Sequence, residues 1–159
     1  MFTIRPLTPN DLDLVCRHRE QMFRASRGDI PVIDRTRGPF RSWLEPRLAD
    51  GRYFGWVAEA QGQPVGGLGM MVIDWPPHPN HPEDCRRGYI LNVFVEAEWR
   101  GQGIATSLIR AADEEGRRRE LAFAVLHPTP AARPLYERLG WQDMMELGYD
   151  FSQPFPKDD

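Results

Sequence analysis

Apolar positions along the chain recur in two rhythms, and the switch between them marks out its elements. Leu12, Val15, Cys16, Met22 and Phe23, with Arg19 among them, fall three and four residues apart. That spacing puts one largely apolar stripe on a helix of about four turns. Thr8 or Asn10 is placed to cap it and Gly28 to end it. A short strand-like piece, 2–5, comes before. Residues 26–39 carry Gly28, Pro31, Gly38 and Pro39 and read as a loop, after which 40–49 shows a second, shorter helical pattern.

From Arg52 the rhythm changes to two. The runs 53–59 and 65–73, joined at Gln61-Gly62-Gln63, read as a hairpin by their turn chemistry. Trp75 to Pro82 contains four prolines, which supply no backbone N–H; a central strand or a helix interior is excluded, and an exposed loop is expected. Tyr89 to Val95 is the most strand-like run, and 96–103 leads into a helix on which Ile104, Leu108, Ile109 and Ala112 share a face. Then follow a buried strand at 121–126, a helix at 130–139 stopped by Gly140, one or two strands within 141–151, and a frayed tail at 154–159. The order β α α β β β α β α β is not a regular βαβ alternation. It predicts a mixed α/β (α+β) domain over 1–153, with a central mixed sheet flanked by helices.

Length and charge narrow the function. A chain of 159 residues has room for one ordinary domain, and 41 % apolar with 27 % charged residues is a globular balance. No apolar run approaches the roughly 20 residues that cross a bilayer, and MFTIRPLTPND lacks the apolar stretch of a signal peptide, so a cytoplasmic protein without a membrane partner is expected. A net charge of −3 gives no positive field for a phosphate backbone, which argues against nucleic acid and for a small molecule or a peptide. Cys16 and Cys85 make no disulfide framework and read as reduced thiols. His78, His81 and Cys85 lie close together, but their spacing matches no zinc pattern and no fourth ligand is evident, so no metal is expected.

The strongest chemical feature is Arg100-Gly101-Gln102-Gly103-Ile104-Ala105-Thr106, between a buried strand and an amphipathic helix. Two glycines let the backbone approach a bulky anion and adopt φ > 0, and free N–H groups with the helix dipole favour phosphate there. A turn that merely needs glycine would look the same, and a nicotinamide-dinucleotide fold would want glycine where Thr106 stands and a longer parallel sheet than the 53 residues that follow.

Arg100, Gly103 and Ala105 match the signature of the GCN5-related N-acetyltransferase family: Gln or Arg, two residues, Gly, one residue, then Gly or Ala. Ala131-Ala132-Arg133-Pro134-Leu135-Tyr136-Glu137-Arg138-Leu139-Gly140-Trp141 is similar to the family's helix ending in a Tyr and a Gly-aromatic pair, so the chain resembles that family over about 52–142. The resemblance implies a mostly antiparallel sheet in a GNAT-type fold and the transfer of an acetyl group from acetyl-CoA to a primary amine of a small molecule or peptide, by direct attack in a ternary complex. It implies that the amides of Arg100, Gly101, Gln102, Gly103, Ile104 and Ala105, with Thr106, hold the pyrophosphate. The backbone of Val93, Phe94 and Val95 would pair with the pantetheine arm and polarise the thioester. Tyr136 would protonate the departing thiolate, and Thr129 stands where the family often places a pantetheine-binding Asn. Homodimers are frequent in the family.

An acceptor amine near pKa 10 must lose a proton before attack, and Glu83, Asp84, Glu96 and His127 are the candidate bases. Phe40, Trp75, Asp29, Asp34, Glu83 and Asp84, from 24–40 and 74–87, would line an acceptor site suited to a small cationic amine. A non-catalytic acyl-CoA-binding module with the same fold would keep the cofactor site without turnover.

Overall fold

The computed structural model describes residues 1–28, 30–79 and 81–144. In chain order they form β1 (Thr3–Pro6), a 3-10 turn (Pro9–Asp11), α1 (Leu12–Arg27), α2 (Pro31–Ala49), β2 (Phe54–Ala60), β3 (Gln63–Asp74), β4 (Arg86–Val95), a second 3-10 turn (Ala97–Trp99), α3 (Ile104–Arg118), β5 (Ala124–Val125) and α4 (Arg133–Arg138). The five strands make one sheet in the order β1-β2-β3-β4-β5, antiparallel except for the β4–β5 pair. Among the described residues no helix is long and apolar enough to cross a membrane.

The entry to α1 is fixed by Asp11. Arg5 donates two hydrogen bonds to its carboxylate at 2.9 Å each, and the backbone N–H and hydroxyl of Thr8 donate to the same group. Burial pushes the Asp11 carboxyl up, but these donors outweigh it and hold it below its ordinary value.

The predicted loop at 26–39 is largely helix. Pro31 is at the start of α2, where its missing N–H has no intrahelical partner to lose. Pro39 and Pro46 lie inside and deprive the carbonyls of Arg35 and Ser42 of their donors, at a cost of about 3 kcal/mol each. Ile33, Leu44 and Leu48 are buried, and burying such a side chain contributes about 1.5–3 kcal/mol each, enough to offset the prolines.

Helices cover both faces of the sheet. Ile104, Leu108, Ile109 and Ala112 of α3 pack with Ala58, Val65, Leu68, Met70 and Ile90 on one face. On the other, Val15 of α1 and Leu44 and Leu48 of α2 enclose Tyr53, with Met71 and Leu91 against them. Gly69 makes room for that ring, because a Cβ there would stand 1.9 Å from the Tyr53 hydroxyl oxygen.

One predicted strand and one predicted helix shorten. Of the run 121–126 only Ala124–Val125 pairs, and of the helix expected at 130–139 only Arg133–Arg138 is α-helical. Residues 141–144 are not strand; the rest of the strands expected in 141–151, and the tail at 154–159, fall outside the described residues. The proline-rich 75–85 is a loop closed by the Trp75 N–H donating to the Cys85 carbonyl, though His81 is buried beneath Phe123.

Candidate functional site

Strand β4 is irregular where the site forms. Gly67 faces Phe94 and Gly69 faces Leu91, so Asn92 and Val93 together oppose the single residue Leu68. The extra residue is a bulge with Asn92 at φ +55°, a left-handed conformation that Asn tolerates better than most residues. As a result Leu91 packs towards α1 and α2, Val93 and Val95 pack towards α3, and Asn92 is buried between α1 and Tyr53. Its amide nitrogen donates to the Tyr53 hydroxyl at 2.9 Å and its oxygen accepts from the Arg19 Nη1 at 2.7 Å.

Just before the bulge the sheet forks. Strands β4 and β5 pair only through Gly88–Ala124 and Tyr89–Val125. From Ile90 to Val95, β4 has no strand on its β5 side among the described residues. That edge of β4 is open to an added strand, and the chain continues from it through the second 3-10 turn to the glycine turn.

Gly101 and Gly103 adopt φ +75° and +82°, and no atom lies within 4 Å of where a Cβ would stand on either. Gly103 is the N-cap of α3, and the first intrahelical bond runs from the Ser107 N–H to the Gly103 carbonyl, which leaves the N–H groups of Ile104, Ala105 and Thr106 outside the helical ladder. Arg100 uses its Nε to donate to the Val95 carbonyl at 3.0 Å, and Gln102 donates to the Glu98 carbonyl, so both side chains brace the turn from beneath. The backbone and the space beside it fit a diphosphate.

Tyr136 of α4 is buried, edge-on to Trp141, and its hydroxyl has no hydrogen-bond partner among the described residues. Burial pushes it up to about 12, so it is a proton donor at neutral pH. Thr129 begins the turn into α4: its carbonyl accepts from the N–H groups of Ala132 and Arg133, and its hydroxyl oxygen accepts from Ala132 at 3.3 Å, leaving its O–H to donate elsewhere.

The candidate bases scatter. Asp84 accepts from Arg86 and from the Ala122 N–H, while Glu83 is exposed on the proline-rich loop. Glu96 stands 3.8 Å from the Nε2 of His18, whose ring lies 5.1 Å from that of Phe94. Burial pushes the His18 imidazole down to about 4, so the pair is a carboxylate beside a neutral ring and not an ion pair. His127 holds its Nδ1 2.8 Å from the Tyr89 hydroxyl, at the point where the fork opens, and shares a cavity of about 380 Å³ with Tyr136.

The acceptor residues expected from sequence are only partly assembled. Phe40 lines a cavity of about 630 Å³ over Leu91, with Trp43 and Arg19 beside it. The acidic lining is corrected: Asp34 is bound by Arg24 and Arg37, Asp84 is engaged beside β5, and Trp75 lies under the guanidinium of Arg87 at 3.7 Å. Asp29 falls outside the described residues. Asn92, Trp43 and Arg19 escaped the sequence reading; a lone Asn within an otherwise apolar strand was the available signal for the first. Cys16 and Cys85 are free thiols. His78 stacks on His81 at 5.4 Å, and among the described residues no three His, Cys, Asp or Glu side chains converge on one point.

Comparison with known proteins agrees with this geometry. The model of the acetyltransferase (GNAT) family matches residues 15–141. An uncharacterized N-acetyltransferase of Methanocaldococcus jannaschii is 30 % identical over 148 residues, 89 % of this chain and 61 % of that protein. A thialysine N-epsilon-acetyltransferase of Bos taurus is 32 % identical over 91 residues, 55 % of this chain and 51 % of that protein. The chain thus spans about half to three fifths of the length of these curated relatives. Among solved structures, a GCN5-related N-acetyltransferase from Ralstonia eutropha superposes with a TM-score of 0.93 at 49 % identity, covering 96 % of this chain and all of that one. A predicted acetyltransferase from Clostridium acetobutylicum, solved with acetyl-CoA, superposes with a TM-score of 0.86 at 27 % identity, covering 96 % and 97 %.

Proposed function

The chain belongs to the acetyltransferase (GNAT) family, and from that premise we propose that it moves an acetyl group from acetyl-CoA to a primary amine by direct attack in a ternary complex. The observation that carries the reading is the forked sheet: past Tyr89 the β5-side edge of β4 has no partner strand among the described residues, and the chain runs from it to the N–H groups of a glycine turn. An extended pantetheine arm suits that edge, and a pyrophosphate suits those N–H groups. The structure related at 27 % identity and solved with acetyl-CoA supports the same ligand.

When bound, acetyl-CoA supplies an activated acyl group and a thiolate leaving group. The N–H groups from Gly103 to Thr106 would hold its diphosphate, with Arg100 and Gln102 keeping the turn in shape. The open edge of Val93, Phe94 and Val95 would align the arm and direct one N–H at the carbonyl oxygen. Tyr136 holds a proton at its hydroxyl for the departing sulfur, because a phenol is un-ionised at neutral pH and burial pushes it further up. On the other side of the fork, Tyr89 and His127 would take the proton from the amine: nitrogen to the Tyr89 oxygen, and the Tyr89 hydrogen to the His127 Nδ1 across 2.8 Å.

The first test is thermal unfolding with acetyl-CoA, and with NADH as the control. At a hundredfold excess over Kd, one-site binding adds about 2.7 kcal/mol, or roughly 5 to 10 °C for a chain of this size. No rise with acetyl-CoA removes the enzymatic reading. Next, Tyr136→Phe and His127→Asn should each lower kcat by about a hundredfold or more in a thiol-release assay while the rise with acetyl-CoA remains. A non-catalytic module would show the rise without any thiol release.

A further inference from the structure

Helices α1 and α2 carry eight arginines, and five of them divide into two groups by their partners. Arg24 and Arg37 are bound to Glu20 and Asp34, and Arg41 to Asp13. Among the described residues Arg19 and Arg35 make no ion pair, and both line the cavity over Leu91, to which no described carboxylate contributes. Apart from Thr36 its remaining surface is apolar: Phe40 and Trp43 stack 5.8 Å apart, and Val32 at the mouth is 49 % exposed.

The guanidinium of Arg19 is held in place before any ligand arrives. Its Nη1 donates to Asn92, the rings of Phe23 and Phe40 lie 4.7 and 4.4 Å from its central carbon, and its Nε is buried without a partner. A fixed, half-buried cation with no counter-ion is an incomplete pair, and a carboxylate fits a guanidinium better than a neutral group does. Asn92 is also the bulge of β4, and Arg19 lies within electrostatic reach of Tyr89, where the fork opens.

We infer that the acceptor is an amino carboxylate with an apolar or aromatic body: its carboxylate on Arg19, its body along Phe40 and Trp43, and its amine towards Tyr89. Arg35 adds positive potential at the rim. The inference rests on the acetyl-transfer reading above and deepens it. Polycationic acceptors are disfavoured, because two guanidinium groups face them and no carboxylate does.

The test is thiol release by the intact protein with acetyl-CoA and matched acceptors: L-phenylalanine and L-tryptophan, their decarboxylated counterparts phenethylamine and tryptamine, and spermidine. The amino carboxylates should exceed their decarboxylated partners in kcat/KM by about tenfold or more, the effect of one charge-assisted hydrogen bond. Arg19→Gln should bring that ratio towards one. Because Arg19 also holds Asn92, Arg35→Gln at the exposed rim is the second variant, and it should lower the ratio in part with an unchanged melting temperature. Equal or better rates with the decarboxylated amines or spermidine, a ratio unmoved in both variants, or no thiol release from any acceptor while acetyl-CoA still raises the melting temperature overturns the inference and leaves the acetyl-CoA site standing. Absence of that rise overturns the acetyl-transfer reading, and this inference with it.

Discussion

Replacing Asn92 by alanine tests whether the bulge is held as described. Three interactions are lost. A Cβ-bearing residue without the local polar compensation of Asn is strained at φ +55°, by about 1 kcal/mol. The fully buried Tyr53 hydroxyl loses the donor 2.9 Å away, a further 1 kcal/mol or so. The Arg19 Nη1 loses its acceptor at 2.7 Å, and a charged donor left unpaired costs about 1–2 kcal/mol. The sum is about 3–4 kcal/mol out of a stability on the order of 5–15. For a chain of this length that lowers Tm by roughly 6 to 16 °C. Asn92→Gly loses the same hydrogen bonds but is at ease at this φ, so it should be about 1 kcal/mol more stable than Asn92→Ala. Urea unfolding followed by circular dichroism without ligand measures both. An alanine variant within 1 kcal/mol of the parent, or a glycine variant no more stable than the alanine one, refutes the account of the bulge.

Two other variants address the same region. Burial holds the His18 imidazole at about 4 against an ordinary 6.5, so between those values the unfolded chain carries a proton that the native one lacks. Stability from this group is therefore complete above pH 6.5 and falls on acidification, by up to about 3 kcal/mol near pH 4. His18→Phe keeps a ring against Phe94 and should flatten that slope in denaturation series from pH 7 to 4; an unchanged slope contradicts the assignment. Gly103→Ala at φ +82° should lower the melting temperature of the free protein by a few degrees, from about 1 kcal/mol of strain, and should also reduce the rise that acetyl-CoA produces. An undiminished rise places the diphosphate elsewhere.

The parts legible in the sequence were those set by local chemistry. The alternation through 65–73 and 89–95, the stripes on α1 and α3 and the glycine turn all depend on near neighbours, and the structure places them as expected. The first half of helix α2 was hidden because Pro31, Gly38 and Pro39 argue locally against it, while the burial of Ile33 is a tertiary effect. The acidic residues near Phe40 suggested a negative acceptor site, but which carboxylates remain free depends on which arginines reach them. Arg24 and Arg37 reach Asp34 and remove it from that role. The bulge at Asn92 needed the opposite strand, since only the pairing with Gly67 and Gly69 reveals two residues facing one.

The two-pair junction of β4 and β5 also sets where the native state breathes. Detaching β5 breaks the bonds of only two residue pairs, whereas detaching β3 from β4 breaks a ladder of eight. Amide hydrogens near Val125 should therefore exchange with solvent through a low-energy partial opening, while those that β3 and β4 share wait for deeper unfolding. A ligand lying along Ile90–Val95 would rejoin the two strands and slow that exchange, so the deuterium uptake of a few amides reports occupancy of that edge without any turnover.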